Sequence, residues 1–141
     1  MAVGPSLVVF AIVALMAPSI SLATDFIVGD DEGWSLGVDY DAWAQDKQFF
    51  VGDNLVFRYT AGAHSVYKVT GDEFRNCTVP SNSSLGSFSG NDTISLVTAG
   101  IKWYICGVDG HCEGGQKLKI TVLDGAAPAP APVAPDPDST F

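Results

Sequence analysis

The segment Cys106–Gln116 constrains this chain most, because it holds three chemically distinct side chains in one short loop between two predicted strands. Apolar and polar residues alternate before it, in Ile101–Cys106, and after it, in Gln116–Leu123. Alternation with period two is typical of β-strands that bury one face. The loop therefore sets the relative positions of its cysteine, its histidine, His111, and its closing glutamine.

The rest of the central region also predicts short strands, at Asp25–Gly29, Asn54–Thr60, His64–Thr70 and Thr93–Val97. Residue pairs such as Gly52-Asp53, Gly71-Asp72 and Asp109-Gly110 mark turns between these runs. Asp39–Gln45 predicts one or two short helical turns. Many short strands at turn-marked intervals favour an all-β sandwich or barrel.

Residues 1–23 have the order of a secretory signal peptide. Leu7–Met16 is an unbroken apolar run, and Ser21-Leu22-Ala23 forms a small-x-small cleavage site. The run is too short for a membrane anchor, because crossing a bilayer takes about 20 residues. The sequence therefore predicts a secreted protein with one folded domain at residues 24–124.

Residues 125–141 differ in composition from the predicted domain, since they hold five of the eight prolines. Alternating alanine and proline favour extended polyproline II and bury little surface. We therefore predict a disordered Ala/Pro-rich tail. No hydrophobic stretch follows it, so the C-terminus does not support a lipid anchor.

The charge balance excludes one class of partner. The chain has 16 acidic and 7 basic residues and a formal net charge of −9, whereas nucleic-acid binding needs clustered lysine and arginine. We therefore expect no nucleic-acid partner. Acceptor sequons begin at Asn76, Asn82 and Asn91, and in a secreted chain these predict N-linked glycans on loops.

Three cysteines leave one thiol without an intramolecular partner. The possible pairs are Cys77–Cys106, Cys77–Cys112 and Cys106–Cys112. If Cys106 binds a metal ion, only Cys77–Cys112 remains. A disulfide that uses Cys106 would leave the spacing of His111 and Gln116 without an explanation.

One thiolate, two imidazoles and a weak axial donor form the ligand set of a blue-copper site. The chain has two histidines; His111 lies five residues after Cys106, and His64 follows the end of a predicted strand. A structural zinc site closes with four strong ligands. In this loop only Asp109 and Glu113 are further candidates, and both are expected to be solvated.

Copper held by two histidines and a cysteine accepts a weak axial methionine or glutamine. Met1 and Met16, the two methionines, both fall in the predicted signal peptide, so the expected axial donor is a glutamine. A cysteine nucleophile with a histidine base would leave the second histidine unexplained, so we predict no enzymatic activity. The predicted site holds one copper ion on His64, Cys106, His111 and Gln116.

Several stretches of the chain resemble the plant phytocyanins. They are Val28-Gly29-Asp30 with Gly33-Trp34, Trp43-Ala44 with Phe50-Val51-Gly52-Asp53, Leu55-Val56-Phe57-Arg58-Tyr59, and Trp103-Tyr104-Ile105-Cys106-Gly107 with Gly110-His111-Cys112 and Gly115-Gln116-Lys117-Leu118. The likeness covers residues 24 to about 123. With its glutamine at position 116, the chain is similar to the stellacyanin branch.

The resemblance implies a cupredoxin-like fold, which is a Greek-key β-sandwich of two sheets with copper near one end. It also implies that Cys77 and Cys112 form a disulfide. The tail resembles the hydroxyproline-rich stalks of that family. The same four residues are implied as copper ligands: His64, Cys106, His111 and Gln116.

The expected function is that of a secreted type 1 copper protein that exchanges single electrons with an unidentified small-molecule or protein redox partner. We expect a monomer in the apoplast or cell wall, or at the outer membrane surface. Two alternatives stay open. One is a structural or signalling glycoprotein of the cell wall with incidental copper binding, and the other is a copper buffer.

Overall fold

The computed structural model describes residues 22–125. The predicted signal peptide, apart from its last two residues, and the tail beyond Gly125 lie outside the described residues. Within residues 22–125 the chain forms two sheets, two α-helices and two 3-10 turns, at Asp30–Glu32 and Ser83–Leu85. No helix in this part of the chain is long and apolar enough to cross a membrane.

The described part of the chain contains eight strands: β1 (Asp25–Ile27), β2 (Phe49–Phe50), β3 (Asn54–Arg58), β4 (Val66–Val69), β5 (Gly86–Ser87), β6 (Asn91–Ser95), β7 (Gly100–Ile105) and β8 (Lys117–Leu123). One sheet has the order β1-β3-β6, and the other has the order β2-β8-β7-β4-β5. β1 runs parallel to β3 and β2 parallel to β8, while the other neighbours are antiparallel. The predicted all-β sandwich of two sheets is confirmed.

The core lies between the sheets and is built by alternate residues of the strands. In β8, Leu118, Ile120 and Val122 are at most 3% exposed, and in β3, Leu55 and Phe57 are fully buried. Burial of one such side chain contributes about 1.5–3 kcal/mol. This alternation fixes the register of β7 against β8, because a slip by one residue would turn the apolar face of β8 to solvent.

The first helix, α1 (Tyr40–Gln45), confirms the predicted helical turns. Asp39 precedes it, and its carboxylate accepts a hydrogen bond from the Ala42 N–H at 3.0 Å. An aspartate cap of this kind satisfies one of the free N–H groups of the first turn. Tyr40 and Trp43 are the buried residues of this helix, so α1 packs through its aromatic side against the core.

The second helix, α2 (Gly71–Asn76), differs from the sequence prediction, which placed only a turn at Gly71-Asp72. The Thr70 hydroxyl accepts a hydrogen bond from the Glu73 N–H at 3.2 Å. Thr-x-x-Glu is a capping-box pattern, so the start of this helix was readable in the sequence.

Strand β7 buries residues on both of its faces. Tyr104 belongs to the core between the sheets. Ile105 belongs to a second apolar cluster with Val69 and Cys112, and Phe74 of α2 packs against it. The outer face of this sheet is therefore covered by α2 where β7 approaches the Cys106–Gln116 loop.

A disulfide joins Cys77, which directly follows α2, to Cys112 in that loop. Cys106 is the free cysteine of the described chain, and it is buried. The pairing agrees with the expectation that follows when Cys106 is reserved for a metal ion. It ties the residue directly after His111 to the helix that covers the sheet.

We expect the double variant Cys77→Ala/Cys112→Ala to lower the free energy of unfolding by roughly 3–4 kcal/mol, because the bond restricts a long loop in the unfolded chain. The two bonded residues are 35 positions apart. Urea unfolding of the metal-free proteins measures the difference. The double variant leaves no unpaired partner thiol, and a loss below about 1 kcal/mol would contradict the expectation.

Candidate metal centre

The Cys106–Gln116 loop connects the antiparallel strands β7 and β8 and is closed by their pairing. Ile105 lies opposite Lys117 in the register, and the Cys106 N–H donates to the Gln116 carbonyl oxygen at 3.1 Å. The first and last residues of the loop are therefore fixed to one another by the sheet.

Hydrogen bonds inside the loop hold His111 between these ends. The His111 N–H donates to the Val108 carbonyl oxygen, and the Gln116 N–H donates to the His111 carbonyl oxygen, both at 3.0 Å. Gly115 has a φ of +100°, which a residue with a side chain rarely adopts. The chain can therefore turn back sharply enough to bring the Gln116 backbone within hydrogen-bond distance of His111.

His64 comes from an earlier part of the chain, in the turn between β3 and β4. The Ala63 N–H donates to the Thr60 carbonyl oxygen at 3.0 Å and closes this turn. Because β4 lies antiparallel to β7, with Tyr67 opposite Ile105, the start of β4 lies beside the end of β7. The sheet thus brings His64 to Cys106.

Three donor atoms meet at this point. The Nδ1 atoms of His64 and His111 are 3.0 Å apart, and the Cys106 sulfur lies 3.9 and 3.6 Å from them, respectively. The centre of a triangle with these sides lies about 2 Å from each corner, which is close to zinc–imidazole bonds of about 2.0–2.1 Å and somewhat shorter than zinc–thiolate bonds of about 2.3 Å. The donors are spaced to share one ion.

Gln116 is fully buried, and neither its amide oxygen nor its amide nitrogen has a hydrogen-bond partner among the described residues. An unpaired buried polar group costs about 1–3 kcal/mol. A metal ion at the cluster would give the oxygen a partner. The unpaired amide therefore fits the role of axial donor that the sequence predicts.

The environment of His64 favours its neutral form. Burial lowers its pKa below the ordinary value of 6.5, and the nearby His111 lowers it further, while the neighbouring Gln116 amide acts in the opposite direction. A neutral imidazole is the form that binds a metal ion.

In the metal-free protein we expect His64 to titrate below pH 6.5, because burial disfavours the charged ring. Its contribution to stability is fully present above 6.5 and is lost as the pH falls through the lowered value. Histidine NMR signals measure this, with the urea-unfolded chain as control, where the ring should titrate near 6.5. A folded-state pKa at or above the unfolded value would contradict it.

Ser65 is a site residue that the sequence analysis missed. Its N–H points at the Cys106 sulfur at 3.5 Å, and its hydroxyl accepts a hydrogen bond from the Gly107 N–H at 2.9 Å. Ser65 is 3% exposed. The one available signal was its position directly after His64.

The two acidic residues of the loop and the predicted glycosylation sites lie apart from the cluster. Asp109 and Glu113 are exposed and are not part of the three-residue group that the described chain brings together. All three sequon asparagines are exposed: Asn76 at the end of α2, Asn82 before a 3-10 turn and Asn91 at the start of β6. Glycosylation stays a prediction.

A two-sheet β-sandwich with two histidines and a cysteine at one end defines a cupredoxin-type metal centre. A family model described as a plastocyanin-like domain matches residues 34–116. Blue copper protein 1a of Medicago truncatula is 50% identical over 133 residues, which cover 94% of this chain and 82% of that protein. The chain belongs to the phytocyanins, the family of plant blue copper proteins with a plastocyanin-like domain.

Two stellacyanins are also similar to the chain. Stellacyanin of Toxicodendron vernicifluum is 43% identical over 105 residues, which cover 70% of this chain and 96% of that protein. The structure of cucumber stellacyanin with Cu2+ superposes with a TM-score of 0.68 at 33% identity, over 74% of this chain and 99% of that one. The predicted cupredoxin-like fold is confirmed.

Proposed function

We propose that this protein is a type 1 copper protein that carries single electrons, with one copper ion on His64, Cys106, His111 and Gln116. The observation that carries the proposal is the meeting of three donor atoms beside a fully buried, unpaired amide. Two imidazoles and one thiolate with a weak axial oxygen match copper. The family relationship supports the same ion.

The copper ion supplies a one-electron couple when it is bound. The chain contributes a fixed set of donors and shields the thiolate from water. Cys106 is fully buried, so water is kept from the sulfur. The Ser65 N–H faces that sulfur and stabilises negative charge on it. The strand pairing, the loop hydrogen bonds and the disulfide hold the donors in one arrangement.

The two histidines are only partly buried, in contrast to the cysteine. Their rings lie 4.9 Å apart between centroids, so they form the part of the centre that a partner can approach. An electron can pass at this edge without a substrate pocket. We therefore assign the protein a carrier role and no enzymatic activity of its own.

Gln116 and the similarity to two stellacyanins support the proposal that the protein belongs to the stellacyanin-like branch of its family. We propose that its partner is a small molecule or a protein that exchanges one electron, and that the protein acts as a monomer. We further propose that it is secreted, works in the apoplast or cell wall, and carries glycans at Asn76, Asn82 and Asn91. The exposed position of these asparagines supports this assignment.

The visible and EPR spectra of the purified protein with Cu(II) test the proposal. We expect one copper per chain, a strong visible band from sulfur-to-copper charge transfer, and its loss on reduction by one electron. A protein that stays colourless when fully loaded with Cu(II) would refute the blue copper assignment. Zinc-loaded protein is the matched colourless control, because zinc has no redox chemistry.

A further inference from the structure

Ser65 is held at three points, and one of them comes from outside the metal centre. Its N–H faces the Cys106 sulfur, and its hydroxyl accepts from Gly107. Its carbonyl oxygen accepts a hydrogen bond from the indole Nε1–H of Trp34 at 2.9 Å, a buried contact. Trp34 is 31 positions away in the sequence and does not belong to the donor cluster.

Trp34 is itself firmly held. It is 1% exposed, and its ring packs on Tyr40 and Phe57 at centroid distances of 4.8 and 5.0 Å. The backbone N–H of Trp34 donates to the Arg58 carbonyl oxygen at 2.8 Å. Gly33 directly precedes Trp34, and its carbonyl oxygen accepts a hydrogen bond from the Tyr40 hydroxyl at 2.7 Å. The position of the indole Nε1–H is therefore fixed by the packing of the ring and by the backbone hydrogen bonds around Trp34.

We propose that Trp34 is a positioning residue of the metal centre: its indole N–H fixes the backbone of Ser65 and so keeps the Ser65 N–H on the Cys106 sulfur. The inference rests on the proposed function, since it names a residue that tunes the same site. The Ser65 N–H lies 3.5 Å from the sulfur, and hydrogen bonds weaken steeply when the donor turns away from the acceptor, so a rotation of the Ser65 backbone would weaken this contact. The hydrogen bond from the Trp34 indole to the Ser65 carbonyl oxygen prevents that rotation.

The chain provides a matched control for the loss of an indole N–H. Trp43 is also a core tryptophan, 8% exposed, but its Nε1 has no hydrogen-bond partner among the described residues. Trp43→Phe removes the same atoms as Trp34→Phe and leaves no acceptor unpaired. A general effect of loosening the core should appear in both variants. An effect of the lost hydrogen bond to Ser65 should appear only in Trp34→Phe.

Amide hydrogen exchange of the metal-free proteins is the first test. We expect Trp34→Phe to raise the exchange rate of the Ser65 amide about tenfold relative to that of Leu118 in β8, and Trp43→Phe to leave this ratio unchanged. Equal ratios in the two variants would overturn the proposal. If Trp34→Phe does not fold, benzothienylalanine at position 34 removes the N–H while keeping the ring shape.

The second test is the reduction potential of the copper-loaded proteins. An N–H donor at the sulfur withdraws charge and favours the reduced ion, so its loss in Trp34→Phe should lower the potential. A threefold to tenfold change in the Cu(I)/Cu(II) balance corresponds to about 30–60 mV. An unchanged potential would overturn the tuning role. A wild-type protein without a visible band would refute the proposed function, and the exchange test would still decide the position of Ser65.

Discussion

Cys106→Ser is expected to abolish the visible band of the copper-loaded protein and to weaken copper binding by more than the 10- to 100-fold typical of outer-shell changes. The sulfur is the one soft donor of the cluster, and it lies 3.6 Å from the His111 Nδ1 and 3.9 Å from the His64 Nδ1. A serine hydroxyl is a harder donor and stays protonated near neutral pH. Titration with Cu(II), followed by absorption and EPR, measures both changes.

The fold should survive this substitution. The Ser65 N–H that faces the sulfur can donate to a hydroxyl at the same place, so we expect the metal-free variant to lose only about 1–2 kcal/mol of stability. Circular dichroism and urea unfolding provide this control. A variant that keeps the band would show that another residue supplies the chromophore, and an unfolded variant would show that Cys106 has a structural role.

The loop ligands were predictable because one short segment carries them. Cys106 directly follows β7 and Gln116 directly precedes β8. The alternation of both strands shows in the sequence, and their pairing brings these two residues together. His64 was less determined, because its place depends on the packing of β4 against β7. Only the complete sheet shows that this histidine approaches the thiol.

Other features depend on contacts that no local pattern contains. Ile105 is fully buried on the outer face of its sheet because α2 and the disulfide cover it, whereas alternation predicts one buried face. Strands β2 and β5 have two residues each, too few for a period to show. The contact from Ser65 to the thiol is made by a backbone N–H, which every residue except proline possesses.

Gln116→Met is expected to raise the reduction potential while the visible band and the copper stoichiometry persist. The amide oxygen is a hard donor that stabilises Cu(II) over Cu(I), and a thioether of similar length is softer and binds Cu(II) more weakly. A tenfold to hundredfold change in this preference corresponds to a rise of about 60–120 mV. Cyclic voltammetry of both proteins at one pH and one salt concentration measures the difference.

The argument for Gln116 rests on its burial and on its unpaired amide. Methionine removes both polar atoms, so the metal-free variant should be as stable as the wild type or more stable, since an unsatisfied group is lost. Gln45→Met is the control, because Gln45 is exposed at the end of α1 and a thioether there should leave the potential unchanged. An unchanged or lower potential in Gln116→Met would show that the amide oxygen does not tune the site.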